Sequence, residues 1–424
     1  MFATQTIQEK LINKKKFLFP LLMWLFSRLV IAIAMLLIAP LLPAPPDGIV
    51  PSFGWNVFFA WDSAWYEKIA TSGYEYINDG LHHSVAFFPL FPLLVRVVMS
   101  LGLPFVIAGT LVNNLAFLGA LLLIYGWVEN RYGKSSARWT TILLAWFPLS
   151  IYGSVIYSEG LYLLLSSAAL RAFEKKQYWW LILWGALTTA TRPTGLALIP
   201  TLLIVSWQEH RAIFAYVASL ATGLGLFFYS LYCQIYFQDA LAFIHVQKAW
   251  QPPQDYYGQR WLKMVGQIAI GTSNWKHGAV VDIWHPLLFI IICICGSLLW
   301  RSRNRLGIVK THYGIGFLVF ILWLIAGSPL INTAIIFGGA YSLWYFRSQL
   351  SLVLIVYGFC SLAIIFTTGR TESAERYAYG IVSIAIAMGK LLSRYPRYGY
   401  MVVAFCSLVL AIYAMRFSQR IWVA

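Results

Sequence analysis

Charge is scarce in this sequence. Asp, Glu, Lys and Arg make up 11% of 424 residues, whereas a water-soluble domain carries about a quarter. A soluble globule of this length is thereby excluded, because too little ionic surface exists to cover it. Acid is scarcer than base, 15 residues against 31, yet the excess does not indicate nucleic acid. The basic residues sit in short clusters between apolar segments, at Lys14-Lys15-Lys16, Lys175-Lys176 and Arg301 to Arg305. Cytoplasmic loops carry positive charge in this way, and no basic stripe lies on a polar domain. Cysteine is also rare. Cys233, Cys293, Cys295, Cys360 and Cys406 fall mostly inside apolar segments, where a thiol behaves as a small hydrophobe. Neither a disulfide framework nor a zinc site is expected. The chain has no Walker loop, no Gly-rich dinucleotide motif after a strand and no D-x-D pair, which counts against nucleotide binding and metal-dependent nucleotide-sugar chemistry.

What the sequence does have is apolar length. Hydrophobic residues make up 60% of it, and its mean hydropathy is +0.70. Runs long enough for a ~30 Å hydrocarbon core recur from end to end. The expected fold is an all-α polytopic membrane protein, one integral membrane domain over residues 1–424, with about 11–13 transmembrane helices. The first run, Phe17 to Leu42, is too long for a signal-peptide core and lacks a clear cleavage site, so it reads as a retained span.

Two long connections interrupt the apolar runs. Residues 43–103 open with Pro43-Ala44-Pro45-Pro46 and, up to His83, carry Asp47, Asp62, Glu67, Glu75 and Asp79 against a single Lys68. That acidity, beside a basic N-terminus, places the loop outside the cytoplasm. Within it, Phe87 to Ser100 is apolar but broken by Pro89 and Pro92 and carries Arg96, which suits a short interfacial helix. Residues 237–284 form the second extracytoplasmic loop. The segment 179–206 has basic flanks on both sides, so a hairpin of two short helices is expected, with its apex at Thr191-Arg192-Pro193-Thr194-Gly195.

The candidate chemistry lies near these loops. Trp61-Asp62-Ser63-Ala64-Trp65-Tyr66 sets a carboxylate between two indoles. An aromatic belt with a solvated acid is the plainer reading; the sharper one is a general base, Asp62, among rings that stack on sugars, Trp61, Trp65 and Tyr66. His82-His83 cannot share a metal easily, but His83 could hydrogen-bond a phosphate. Glu159, after Tyr157-Ser158, is either a helix-capping acid or a sugar contact. Arg192, inside an apolar segment, must face a cavity, an acid or a phosphate. Arg370, Glu372, Glu375, Arg376 and Tyr377 precede a late span. A solvated loop is the simple reading for most of them, with Arg376 able to reach the same phosphate and Tyr377 a sugar.

In order and spacing these stretches resemble the PIG-V family of GPI mannosyltransferases and their compact bacterial relatives. The matching stretches are Trp61-Asp62 to Gly73-Tyr74; His83 with Ala86 to Pro92; Tyr157-Ser158-Glu159; Gly185 through Thr191 to Gly195; and, more weakly, Arg376-Tyr377. The resemblance implies a GT-C-like bundle, with Asp62 as catalytic acid residue on the first outer loop. It also implies a polyprenyl- or dolichyl-phosphate-mannose donor, inversion at the anomeric carbon, and a lipid or glycan acceptor that need not be GPI. The implied location is the bacterial plasma membrane, or the ER membrane in a eukaryote. No cofactor is expected, a loosely held divalent ion near Asp62 being the one metal reading left open. A transporter or lipid flippase is the alternative, suggested by the intramembrane arginine and interrupted helices.

Overall fold

In the computed structural model the backbone is described at residues 2–250, 257–368, 371 and 373–423, and side chains at 17–250, 259–368, 371 and 373–423. Arg370 and Glu372 lie outside the described residues. Every regular element among the described residues is helical, as the apolar runs require of backbone that cannot be hydrated in lipid. The first helix, α1 (Phe2–Ile33), loosens into a π turn at Ala34–Ile38 and a 3-10 turn at Ala39–Leu41. The proline-rich stretch beyond, which lacks amide donors, ends it.

The centre of the molecule is α4 (Phe105–Tyr132), packed against α1, α5 (Lys134–Trp146) and α6 (Glu159–Glu174). Small residues let these backbones approach. A methyl group on Gly160 would stand 2.6 Å from both the carbonyl and side-chain oxygens of Asn113 on α4. Gly389, in the Val382–Arg394 helix, lies against the backbone of Thr140 on α5. Close approach through small residues is the usual device for joining helices in lipid, where burial of apolar area supplies little attraction.

Five helices are long and apolar enough to cross a membrane alone: Phe17–Leu41, Phe105–Tyr132, Trp284–Arg301, Ile308–Ala326 and Pro396–Ser418. A sixth span arises if α9 (Ile213–Ala221) and α10 (Leu224–Phe237), bent by 42°, count as one. This is fewer than the eleven to thirteen spans expected from sequence, by a test of length and composition over the described residues. The difference has a physical cause, because several apolar segments are broken. Residues 137–154 stop being α-helical at Trp146, before a 3-10 stretch at Pro148–Gly153. Residues 179–206 divide into α7 (Tyr178–Thr191), a 3-10 turn at Pro193–Ala197 and α8 (Leu198–Gln208).

At that break Arg192 is extended (φ −155°, ψ 148°), the backbone a residue before proline favours. The Gly195 amide donates to the Arg192 carbonyl (3.0 Å), and a side chain at Gly195 would meet the Thr188 carbonyl of α7 at 3.0 Å. The apex expected at residues 191–195 is therefore a tight turn. The first long loop holds two helices, α2 (Asp62–Ser72) and α3 (Leu90–Met99). Arg96 joins them: its Nε donates to the Ala70 carbonyl (2.6 Å) and its Nη2 to that of Ile69 (3.1 Å). Arg96 thereby gives the Ala70 carbonyl, near the end of α2, a partner that the helix does not supply, while the Ile69 carbonyl also accepts from the Gly73 amide.

Candidate functional site

Three backbone interruptions meet at one place: the start of α2, the break between α5 and α6, and the Arg192 apex. A fourth element, the short Ala374–Tyr379 helix, contributes Arg376. The α2 start is clasped to the α5–α6 break by backbone and side chains. The Ile156 amide donates to the Phe58 carbonyl (3.4 Å), the Ser63 hydroxyl to the Ile156 carbonyl (3.2 Å), and the Asp62 amide to the Tyr157 hydroxyl (3.3 Å). Trp61 takes a positive φ of 56° to make the corner, a conformation that costs a non-glycine residue free energy and recurs at functional sites.

Asn113 fixes the second interruption. Its side-chain amide donates to the carbonyls of Tyr152 and Val155, each at 2.7 Å, and its oxygen accepts from the Gly160 amide at 2.9 Å. The Val155 carbonyl also accepts from the Tyr157 amide at 2.8 Å, and this one asparagine serves three backbone groups where the helix breaks. It thereby sets where Glu159, the first residue of α6, points. Ser158 does not cap α6 with its side chain. Its hydroxyl instead pairs with that of Tyr66 at 3.0 Å.

The charges form one continuous chain. Arg376 donates from Nη1 to Asp62 Oδ2 at 2.9 Å, and its Nε stands 3.3 Å from Glu159 Oε1. The same Glu159 oxygen pairs with Arg192 Nη1. Arg192 and Arg376 both lie beside the Tyr377 ring, 4.9 and 5.4 Å from its centroid, and Arg376 is also held between Tyr152 and Tyr157, at 5.2 Å from each. Glu159 is 4% exposed and Arg376 5%, while Asp62 retains 22%. Asp62 is thus the end of the chain that solvent reaches. Both Glu159 oxygens and the Arg376 Nε lack a partner in hydrogen-bond geometry among the described residues, although the charges are close enough to pair. A buried polar network with unused hydrogen-bonding capacity is uncommon and marks a ligand site or a strained one.

Several expected site residues fall elsewhere or serve differently. Glu159, expected as a sugar contact or a capping acid, is the first residue of α6, where an acid suits the helix N-terminus, and it is also the buried counter-ion between two guanidiniums. Glu375 and Arg376 are buried within a helix, where a solvated loop was the simple expectation. His83, expected at the phosphate, is engaged by Asp79 (2.7 Å) and stands edge-on to Tyr76. Trp65 stacks on Phe87 with Trp250 across its edge, and Trp61 packs edge-on against Trp422. Tyr66 is buried against Phe87 and Phe91, and burial pushes its phenol pKa well up, so the hydroxyl stays protonated. Among the described residues, no group of three or more His, Cys, Asp or Glu side chains gathers to hold a metal ion.

Sequence reasoning missed Asn113 and Tyr152, and it named Tyr157 only as part of the Tyr157-Ser158-Glu159 stretch. Asn113 had a visible signal, an Asn pair inside an apolar span; Tyr152 had none beyond its place at a helix break.

Long apolar helices, interrupted where two acids and two arginines meet, define an integral membrane protein with a largely buried polar cluster. The chain belongs to the mannosyltransferase (PIG-V) family, whose profile matches residues 14–244. That match takes in Asp62, Glu159 and Arg192 and stops short of Arg376. No curated protein matches the sequence. Among solved structures the chain is similar to the oligosaccharyltransferase of Archaeoglobus fulgidus in two forms. For its complex with Zn and sulfate the identity is 12% and the TM-score 0.46, over 95% of this chain and 53% of that one. For the apo form the values are 13% and 0.49, over 96% and 56%. The chain spans little more than half the length of those proteins.

Proposed function

We propose that this protein is a membrane glycosyltransferase that moves a mannosyl group from a polyprenyl-phosphate-linked donor to an acceptor hydroxyl at the extracytoplasmic face, with inversion. Family membership supports the class of reaction over a transporter or flippase. The observation that carries the site assignment is the continuous pairing Asp62–Arg376–Glu159–Arg192.

Charge counting gives the site a reason to be built this way. Two carboxylates balance two guanidiniums at rest. A sugar-phosphate diester brings one negative charge. If its phosphate takes the place of Asp62 on Arg376, the buried charge is again balanced, with Glu159 neutralising one guanidinium and the phosphate the other. Asp62 is then free. While the Arg376 guanidinium occupies Asp62 Oδ2, that oxygen is not open to an acceptor hydroxyl; displacement by the phosphate frees it when the donor is in place. Donor binding and base activation become one event.

In the reaction Asp62 accepts the proton of the acceptor hydroxyl as that oxygen forms a bond to the anomeric carbon. The bond from that carbon to the phosphate oxygen breaks, and its electron pair leaves with the phosphate. An oxocarbenium-like transition state is expected, as in other glycosyl transfers. The phosphate gains negative charge as it departs, and Arg376 and Arg192 are positioned to stabilise that gain without reorganising. On this reading Tyr377 orients both guanidiniums, while Trp61 and Trp65 flank the acceptor side. His83 braces the loop through Asp79.

The test is transfer by purified protein in detergent, from lipid-phosphate-mannose to a membrane lipid extract. Asp62→Asn should lower turnover by about 10²–10⁴-fold, the usual contribution of a general base, with folding intact. Turnover at the wild-type level would remove the assignment.

A further inference from the structure

A second cavity, of about 300 Å³, lies between α4, α6 and α7. It is remote from the charged site. Helix α6 begins at Glu159, and the cavity is lined by Arg171 and Lys175 at its other end. At 1.5 Å per residue these cations stand roughly 18–24 Å along the helix from the site. Its floor is apolar, formed by Leu123 and Ala168, and its far wall is the indole pair Trp180 and Trp184, stacked at 5.7 Å and 14°.

Arg171 and Lys175 are four residues apart and so share one face of α6. Neither is paired with an acid among the described residues. The neighbouring carboxylate, Glu174, is committed elsewhere: it accepts from the Trp127 indole at 2.8 Å and stands 3.7 Å from Arg131. Two like charges at this spacing repel, so the arrangement is unfavourable unless an anion joins them. The stacked indoles are amphipathic rings of the kind found at headgroup depth. The lining is mixed, with Arg171, Lys175 and Gln177 beside Leu123, Ala168 and the two indoles, so a molecule with a charged head and an apolar tail matches both parts.

We infer that this cavity binds one anionic phospholipid, its phosphate held between Arg171 and Lys175 and its upper acyl chain laid against Leu123, Ala168 and the Trp180–Trp184 pair. The site would fasten to the membrane the ends of α4, α6 and α7 that lie away from the charged site, on the side of the Lys175-Lys176 cluster. It would act as a structural lipid site independent of the donor.

Native mass spectrometry of protein released from bilayers of equimolar phosphatidylglycerol and phosphatidylcholine tests this. The wild type should retain one phosphatidylglycerol in preference to phosphatidylcholine. The Arg171→Gln/Lys175→Gln variant should lose roughly 30-fold in that preference, since each basic residue near a membrane surface contributes ~1 kcal/mol toward an anionic lipid. Trp180→Ala should weaken retention of both lipids alike. Millimolar inorganic phosphate should fail to displace the lipid. Equal retention of the two lipids by the wild type, an unchanged preference in the double variant, or displacement by inorganic phosphate would each overturn the inference. Circular dichroism of the variants guards against loss of fold, since both cations lie at the protein surface.

Discussion

Replacing Glu159 with Gln tests whether the four charges act as one unit. In the wild type two positive and two negative groups share a site in which Glu159 is 4% and Arg376 5% exposed. Glu159→Gln leaves one positive charge without a counter-ion. Removing one partner of a buried pair costs about 3–5 kcal/mol, because the remaining charge is still desolvated. Arg192→Gln should cost a similar amount by leaving surplus negative charge. The double variant keeps the Asp62–Arg376 pair and restores neutrality, so its cost should fall well short of the sum. Groups coupled within one network show interaction energies of about 0.5–3 kcal/mol, and burial as deep as this belongs at the upper end.

The assay is equilibrium denaturation in mixed micelles followed by tryptophan fluorescence, for which the chain's 19 tryptophans supply the signal. The four proteins of the cycle are compared at one detergent composition. Additivity within about 0.5 kcal/mol would mean that Arg192 and Glu159 do not interact energetically. The charge-balance account of donor binding would fall with it.

Three further outcomes are expected. Arg376→Lys keeps the charge but cannot span Asp62 and Glu159 with a planar fork; turnover should drop on the order of 10²-fold while stability changes little, and turnover within a factor of two of wild type would contradict the role given to Arg376. Asn113→Ala removes the acceptor of the Gly160 amide and one donor each from the Tyr152 and Val155 carbonyls, and a buried group left without a partner costs about 1–3 kcal/mol; a denaturation midpoint unchanged from wild type would show that the break is held by something else. The His83 hydrogen bond holds the Asp79 carboxyl below the usual carboxylate range. A depressed carboxylate stabilises the fold at pH above its ordinary value of about 3.9 and loses that contribution only as pH falls further. Hydrogen exchange across residues 74–85 should therefore stay protected from pH 7 down to about 4; loss of protection already at pH 6 would refute the pairing.

The helical class of the fold was legible because apolar length decides it, and the break at Arg192-Pro193 was legible because proline marks it. The individual site residues were legible as unusual types in unusual places: an acid between indoles, an arginine in an apolar run. Their partners were not. That Arg376 would reach Asp62, 314 residues earlier, depends on how four interruptions converge, and no local pattern encodes that. For the same reason Glu159 read as a cap or a sugar contact, since its two guanidinium neighbours are distant in sequence.

Asn113 and Arg28 show why the site lies at broken helices. An interrupted helix leaves carbonyls and amides unpaired, and within a membrane these must find partners in the protein. Asn113 serves the Tyr152–Gly160 stretch. Arg28, in the first span, serves the turn before it, donating to the Ser150 carbonyl (2.9 Å), the Ser154 hydroxyl (2.8 Å) and the Ser150 hydroxyl (3.1 Å). Tyr379, from the short helix that also carries Arg376, donates to the Leu144 carbonyl (2.5 Å). Polar side chains are thus drawn to each break by the backbone alone, before any substrate is considered. A continuous span would need none of them and would present lipid-like surface on every side. The interruptions therefore do two things at once: they lower the local cost of burying charge by supplying polar neighbours, and they bring the ends of sequence-distant helices to one point. The donor proposed above, a lipid-phosphate sugar, would need both, because its charged group must be matched by the protein while its lipid tail stays outside the site.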